Sequence, residues 1–297
     1  MATYNFRPQV RTRGEKANPF APVFAPDPVA EYRREHPDRL PLMMKGRCVL
    51  PDDVLYEHMR IAREQNLPQL AKAQWPPYEE SVLIVGSGLS TVPLLGEIKA
   101  RAATCAVMAL KGAHDWLIDN GVVPTYAVAS DPQESRHDCF KNLNDDTIYL
   151  LASQMHPATW PYMRGRKVVM WHSEQGADHK DREGWKGVPL VFGGSTTGLR
   201  GITLAYLLGF RSLELYGIDS CVQDGIYKLD GTPLREADAE IDVFVGERKF
   251  RTSLSMVPQV TQLRDVLALL PGIKVEAHGD GYFQEHLKAG KTAGWPV

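Results

Sequence analysis

The chain has 297 residues, 43% of them apolar and 24% charged, enough for an ordinary globular core in one extended α/β domain or somewhat more. Its formal charge of −2 gives no electrostatic case for nucleic acid as a partner, so any bound anion must be held locally. Cys48, Cys105, Cys139 and Cys221 lie far apart without a Cys-x-x-Cys pair, which argues against a disulfide framework or a cysteine zinc site. The N-terminus has no apolar signal region and no run approaches the ~18 apolar residues of a membrane span, so the expectation is a cytoplasmic protein.

Residues 1–45 carry Pro8, Pro19, Pro22, Pro26, Pro28, Pro37 and Pro41 with little periodicity. They read as an extended arm that either wraps the body or stays mobile. Residues 46–79 form a helical linker: Asp52 or Asp53 caps a helix through Val54, Leu55, His58, Met59 and Ile61 towards Leu70. That helix docks on the main body or on a second copy of the chain, which leaves a homo-oligomer open.

Residues 80–297 then read as a Rossmann-like nucleotide-binding domain, a doubly wound and mostly parallel α/β sheet with helices on both faces. The apolar run 81–85 ends in a glycine turn and passes into a helical pattern at 94–102. Further strand-like runs lie at 103–109, 125–129, 147–152, 167–171, 188–192 and 212–216, with helical patterns at 113–120 and 199–208. A helix at 257–270 and a strand at 273–277 complete the pattern.

Two glycine turns stand at strand–helix junctions. In the first, Gly86-Ser87-Gly88-Leu89-Ser90, glycine lets a phosphate or ribose approach the backbone while the serines donate hydrogen bonds. It is neither a dinucleotide fingerprint, since Thr91 occupies the third glycine position, nor a Walker A loop. Taken alone it is equally compatible with a tight structural turn. The second, Gly193-Gly194-Ser195-Thr196-Thr197-Gly198, places three hydroxyls at a helix N-terminus, where exposed amides and the dipole favour an anion. Arg200 in that helix's first turn is either a solvated side chain or a partner for the same anion. Two strand ends carry an acid, Asp131 in Ser130-Asp131-Pro132-Gln133 and Asp219 in Gly217-Ile218-Asp219. Such acids bind ribose, a metal or a moving proton, or simply form a turn. Tyr227, in the polar loop beyond Asp219, offers a hydroxyl to a phosphate or packs. His172, Glu174, Asp178 and His179 match no zinc spacing and read as a solvated loop; His114, His156 and His278 are bases without a visible partner.

The sequence from GSGLS through ALKGAHDWLIDNGVVPTYAVASDPQ to GGSTTGLRGITLAYLLGFRSLELYGID resembles the 6-hydroxymethylpterin diphosphokinase-like (MptE-like) superfamily, which includes domains of bacterial flagellin-glycosylation proteins. The last segment is also similar to bacterial sialyltransferases that use CMP-sialic acid. That second resemblance implies that Thr196, Thr197 and Gly198 are the counterparts of a Thr-Ser-Gly turn, Gly217-Ile218-Asp219 of the strand end that follows, and Tyr227 of a tyrosine near the donor phosphate. The pterin kinases have an acid-rich strand end suited to magnesium and ATP, where this chain has the single acid Asp131. The sialyltransferases carry a histidine base in a later loop corresponding to 243–249, and this chain has none there. The proline usual after the first glycines is replaced by Leu89.

The resulting expectation is a transferase using a nucleotide-activated donor, most directly glycosyl transfer from a CMP-type nucleotide sugar. Its rivals are a metal-dependent diphosphokinase using ATP, which alone requires magnesium, and a nucleotide-binding protein without turnover. Gly86, Ser87, Gly88, Ser90, Ser195, Thr196, Thr197, Gly198 and Tyr227 are expected to hold the nucleotide, with Asp131, Asp219 and Arg200 doing chemistry. The expected partners are a small-molecule donor and an acceptor of unspecified class.

Overall fold

The computed structural model describes residues 3–4, 50–70, 76–174, 179, 182–234, 240–253 and 256–295. The expected arm therefore lies outside the described residues, except for a two-residue strand β1, Thr3–Tyr4. Helix α1, Asp52–Glu64, follows Pro51 and has no side-chain cap; Asp52 and Asp53 instead sit in its first turn, where their charge complements the helix dipole. It buries Leu55, His58, Met59 and Ala62 and stops short of Leu70, because Gln69–Leu70 forms strand β2.

Next come β3 (Tyr78–Val85), a 3-10 turn at Leu89–Leu94, α2 (Leu95–Ala102), β4 (Ala106–Leu110), α3 (Ala113–Asp119) and β5 (Tyr126–Ala129). They are followed by β6 (Ile148–Ala152), α4 (Thr159–Tyr162), β7 (Lys167–Ser173), β8 (Leu190–Val191), α5 (Thr197–Leu208) and β9 (Phe210–Tyr216). The remainder holds a hairpin of β10 (Glu240–Val245) and β11 (Arg248–Ser253), short helices α6 (Val257–Thr261) and α7 (Leu263–Ala268), β12 (Lys274–His278) and α8 (Tyr282–Thr292).

Each apolar run of the sequence becomes a strand, with ends shifted by a few residues. The hairpin, α4 and α8 were not anticipated. The helix expected over 257–270 is interrupted between Thr261 and Leu263.

The main sheet has the order β1-β2-β7-β6-β5-β4-β3-β9-β12, with β8 paired to β7 off this path, and each of its pairs is parallel. Parallel sheets need cover on both faces, and β3 shows it: Val82, Leu83, Ile84 and Val85 are all buried. Alternation sends Val82 and Ile84 into the core beneath α5, and Leu83 and Val85 into a second core with Ile98 of α2 and Leu117 of α3. Helix α5 comes close to the sheet because Gly201 leaves room for Leu110 and Ile84. It ends at Gly209, whose φ of 111° only glycine adopts readily.

From β3 the chain winds outward through β4, β5, β6 and β7, then crosses back to place β9 on the other side of β3. That reversal is where open α/β sheets form their ligand crevice. Here the two strand ends meet backbone to backbone: Gly86 N–H donates to the Tyr216 carbonyl at 2.7 Å and Gly88 N–H to the Gly217 carbonyl at 2.8 Å. A methyl group on Gly86 would run into the Gly217 carbonyl oxygen and lie 3.0 Å from its carbon. Gly86→Ala is therefore expected to lower unfolding free energy by about 1–3 kcal/mol, since backbone must move. Gly96→Ala, with nothing within 4 Å of the added methyl, should raise stability by up to about 1 kcal/mol. Urea unfolding of both variants checks the pair.

Candidate functional site

The first glycine turn is held from within. Asp219 Oδ2 accepts from Ser90 N–H at 2.9 Å, while Oδ1 accepts from the Ser90 hydroxyl at 2.5 Å and from Gln284 Nε2 at 2.8 Å. Asp219 is 6% exposed, so three donors fill a buried carboxylate. Thr91, at the position a third glycine would take, donates its hydroxyl towards the Gly86 and Gly88 carbonyls. Gly217, with φ of 61°, has no room for a side chain beside Thr91 Oγ1. The structure thus brings Gly86, Gly88, Ser90 and Asp219 together and spends the polar groups of Ser90 and Asp219 on each other. Ser87 stands apart: its carbonyl accepts from Leu229 N–H at 2.9 Å, which fastens the loop after β9 over the turn.

A second group of polar side chains lies one and two strands further along. Lys111, just past the carboxyl end of β4, has a left-handed φ of 46°, and its N–H donates to the Val128 carbonyl at 3.0 Å. Its ammonium lies 2.8 Å from Asp131 Oδ2, with side chains 32% and 22% exposed. Asp131 Oδ1 also accepts from Gln133 N–H at 3.2 Å. Burial works to raise the Asp131 pKa, but the Lys111 ammonium, the Gln133 amide and the charge of Arg136 outweigh it and hold the carboxyl below its ordinary value. Arg136 acts in the same direction on Asp230 of the overlying loop, so its charge lies within reach of both carboxylates. Lys111, Arg136 and Asp230 were missed in the sequence; the signal was a basic residue followed by glycine where an apolar strand ends.

The second turn reaches the end of β5 through one residue. Thr197 Oγ1 lies 2.9 Å from Ser130 Oγ, which ties the N-terminus of α5 to the end of β5. Thr196 is the N-cap, accepting from Leu199 N–H at 3.3 Å. Ser195 donates through both its N–H and hydroxyl to Gln262 Oε1, at 2.9 and 2.8 Å. A Cβ on Gly198 would meet Ile218 Cγ2 at 3.3 Å, so the glycine admits a neighbouring side chain there. Arg200 is buried and points back to the sheet, donating to the Ser173 hydroxyl and to the Val191 carbonyl at 3.2 Å. Burial pushes its pKa down to about 10, and it remains a cation at neutral pH. The structure therefore places Arg200 with β7 and β8 and gives Asp131 a lysine that the sequence had not linked to it.

Tyr227 sits in the overlying loop with Lys228 Nζ 4.9 Å from its ring centre. The stretch 243–249 is the tip of the β10–β11 hairpin, with Phe244 exposed. His172, Glu174 and His179, expected in a solvated loop, are buried side chains instead, while Asp178 lies outside the described residues. His172 bonds to Ser153 Oγ at 2.9 Å and Gln69 Oε1 at 3.2 Å, and both His172 and His179 stack edge-on against Trp185. Of the other histidines, His114 lies against Asp115, His156 against His58, and His278 stacks on Tyr216 with Glu97 at 3.0 Å. Among the described residues no group of three or more His, Cys, Asp or Glu side chains is placed to hold a metal ion, and no helix is long and apolar enough to cross a membrane.

A family model described as "6-hydroxymethylpterin diphosphokinase MptE-like" matches residues 55–225, from within α1 to the loop beyond β9. Among solved structures the chain is similar to the MAf glycosyltransferase from Magnetospirillum magneticum AMB-1, with a TM-score of 0.58 and 19% identity. The match covers 76% of this chain and 36% of that one, so this chain spans about a third of that protein's length, and the likeness is one of fold. No curated protein matches.

Burial, with Arg63 and His179 adding like charge, pushes the His172 pKa down to about 4. An unfolded histidine titrates near ~6.5, so below that pH the unfolded chain takes up a proton that the folded chain refuses. The stabilising contribution is complete above ~6.5 and is lost as pH falls towards about 4. His58 and His286 are lowered by burial as well, so only part of the acid slope belongs to His172. His172→Gln should flatten the decline of unfolding free energy across that window; a slope equal to the wild type's would rule the ring out as its source.

Proposed function

The chain belongs to the MptE-like family, and from that membership we propose that it is a transferase using a nucleotide-activated donor, most directly glycosyl transfer from a nucleotide sugar of the CMP type. The observation that carries this reading is the Lys111–Asp131 pair beside the Ser130–Thr197 bond, at the carboxyl ends of parallel strands and the start of a twelve-residue helix. Backbone amides, hydroxyls and a lysine there suit a phosphate that leaves as negative charge develops on it. The glycosyltransferase named among similar structures supports the same class.

In this reading the Gly86-Ser87-Gly88 turn and the Tyr227 loop enclose the nucleotide, and Ser195, Thr196, Thr197 and Gly198 present the start of α5 to its phosphate. Asp131 meets a ribose or acceptor hydroxyl. Ser90, Asp219 and Arg200 act from behind, by fixing the first turn and the ends of β7 and β8. A diphosphokinase would need carboxylate oxygens for a magnesium ion that bridges phosphates. Asp131, the acid of the 130–133 strand end, already accepts an ammonium and an amide, which is a poor fit for that ion.

Thermal-shift measurements with CMP, a CMP-sugar and ATP, each with and without magnesium, test the proposal. The expected result is stabilisation by CMP and CMP-sugar independent of magnesium, worth about 2.7 kcal/mol at ~100 Kd of ligand. Stabilisation only by ATP with magnesium would favour the diphosphokinase; CMP-sugar binding without hydrolysis or transfer would favour a binding protein. No shift with any nucleotide would remove the reading.

A further inference from the structure

We propose that Lys111 is the phosphate-reading residue of this cleft, the group by which the chain tells a nucleotide from its nucleoside; the proposal rests on the nucleotide reading above. Three features of the residue carry it.

The first is its backbone. Lys111 holds a φ of 46°, a left-handed conformation that strains a residue with a side chain and costs glycine almost nothing. Gly112 follows immediately, yet the left-handed position falls on the lysine. That conformation, pinned by the Val128 carbonyl, sends the side chain over the end of β5 to Asp131.

The second is donor count. An ammonium has three N–H groups in rotatable positions. One lies on Asp131 Oδ2 at 2.8 Å, and the other two have no partner among the described residues. Lys111 can therefore reach a phosphate oxygen without releasing Asp131.

The third is placement. Gly112, the residue after Lys111, lies beside the first glycine turn, since a Cβ on it would stand 3.9 Å from Ser87 Cβ, and Asp131 follows Ser130, whose hydroxyl meets Thr197. The Lys111–Asp131 pair is thus held between chain neighbours of both turns that the sequence marks for phosphate. At about a third exposed it is neither locked in the core nor dissolved in bulk water. Loss of the lysine would not leave Asp131 without cationic company, because Arg136 acts on the same carboxylate.

The test is isothermal titration of the full chain with CMP against cytidine and AMP against adenosine. Lys111→Gly is the principal variant: glycine adopts the observed backbone without strain, so it removes the ammonium without disturbing the turn. It should weaken the preferred nucleotide about tenfold or more while leaving the matching nucleoside within about twofold. Lys111→Arg should retain part of the preference. The double variant Lys111→Gly with Asp131→Asn should still lack the preference for nucleotide over nucleoside, because the missing group is the ammonium itself. Recovery of that preference in the double variant would show that Lys111 merely neutralises Asp131, and would overturn the proposal. So would equal losses for nucleotide and nucleoside, or unchanged nucleotide affinity in Lys111→Gly. Those results leave the nucleotide reading standing, whereas a wild-type chain that binds none of the four ligands overturns both.

Discussion

The arrangement of this molecule depends on a contact between two stretches of main chain. Gly86 and Gly88, at the end of β3, donate to the carbonyls of Tyr216 and Gly217, at the end of β9, with no side chain between them. Because the strands close on each other there, the backbone groups of the first glycine turn are spent on the neighbouring strand end. Thr91 and Asp219 supply the remaining partners, and the open polar positions are displaced towards β4 and β5. The loop after β9 inherits its place from the same contact, since Leu229 reaches Ser87 only where the two strand ends are already joined.

The polar satisfaction of both glycine turns comes from far along the chain. Ser195 leans on Gln262, and Asp219 shares its charge between Ser90 and Gln284. A buried carboxylate such as Asp219 left without donors would cost on the order of 1–3 kcal/mol or more. Two glutamines beyond the family-matched region thus let these turns be polar and rigid together. Arg200 shows the same economy: a buried cation held by a hydroxyl and a carbonyl joins α5 to β7 and β8.

The sheet was legible because burial on both faces writes continuous apolar runs, and runs such as 81–85 or 147–152 leave little else to be. The β10–β11 hairpin was not, because only one face packs. Its alternation of Ile241, Val243 and Val245 with Asp242 and Phe244 sits among charges and lacks a strong turn signal at Gly246-Glu247. The long helix expected at 257–270 failed for a similar reason: its apolar residues are spaced well enough, but the backbone breaks near Gln262, where that side chain serves Ser195. In the candidate site the glycine turns were visible from composition. The Lys111–Asp131 pair was hidden by a separation of twenty residues that only β4–β5 pairing closes.

Strand β12 carries a consequence for anyone who would isolate the family-matched segment. It pairs with β9 through Lys274 to His278 and completes that side of the sheet. A fragment cut at residue 225 would keep the glycine turns yet turn β9 into a bare edge. Leu213 and Leu215 would then border unpaired amides and carbonyls, a template for pairing with other chains. The fragment's first difficulty would be self-association, and its behaviour in solution would say little about the cleft.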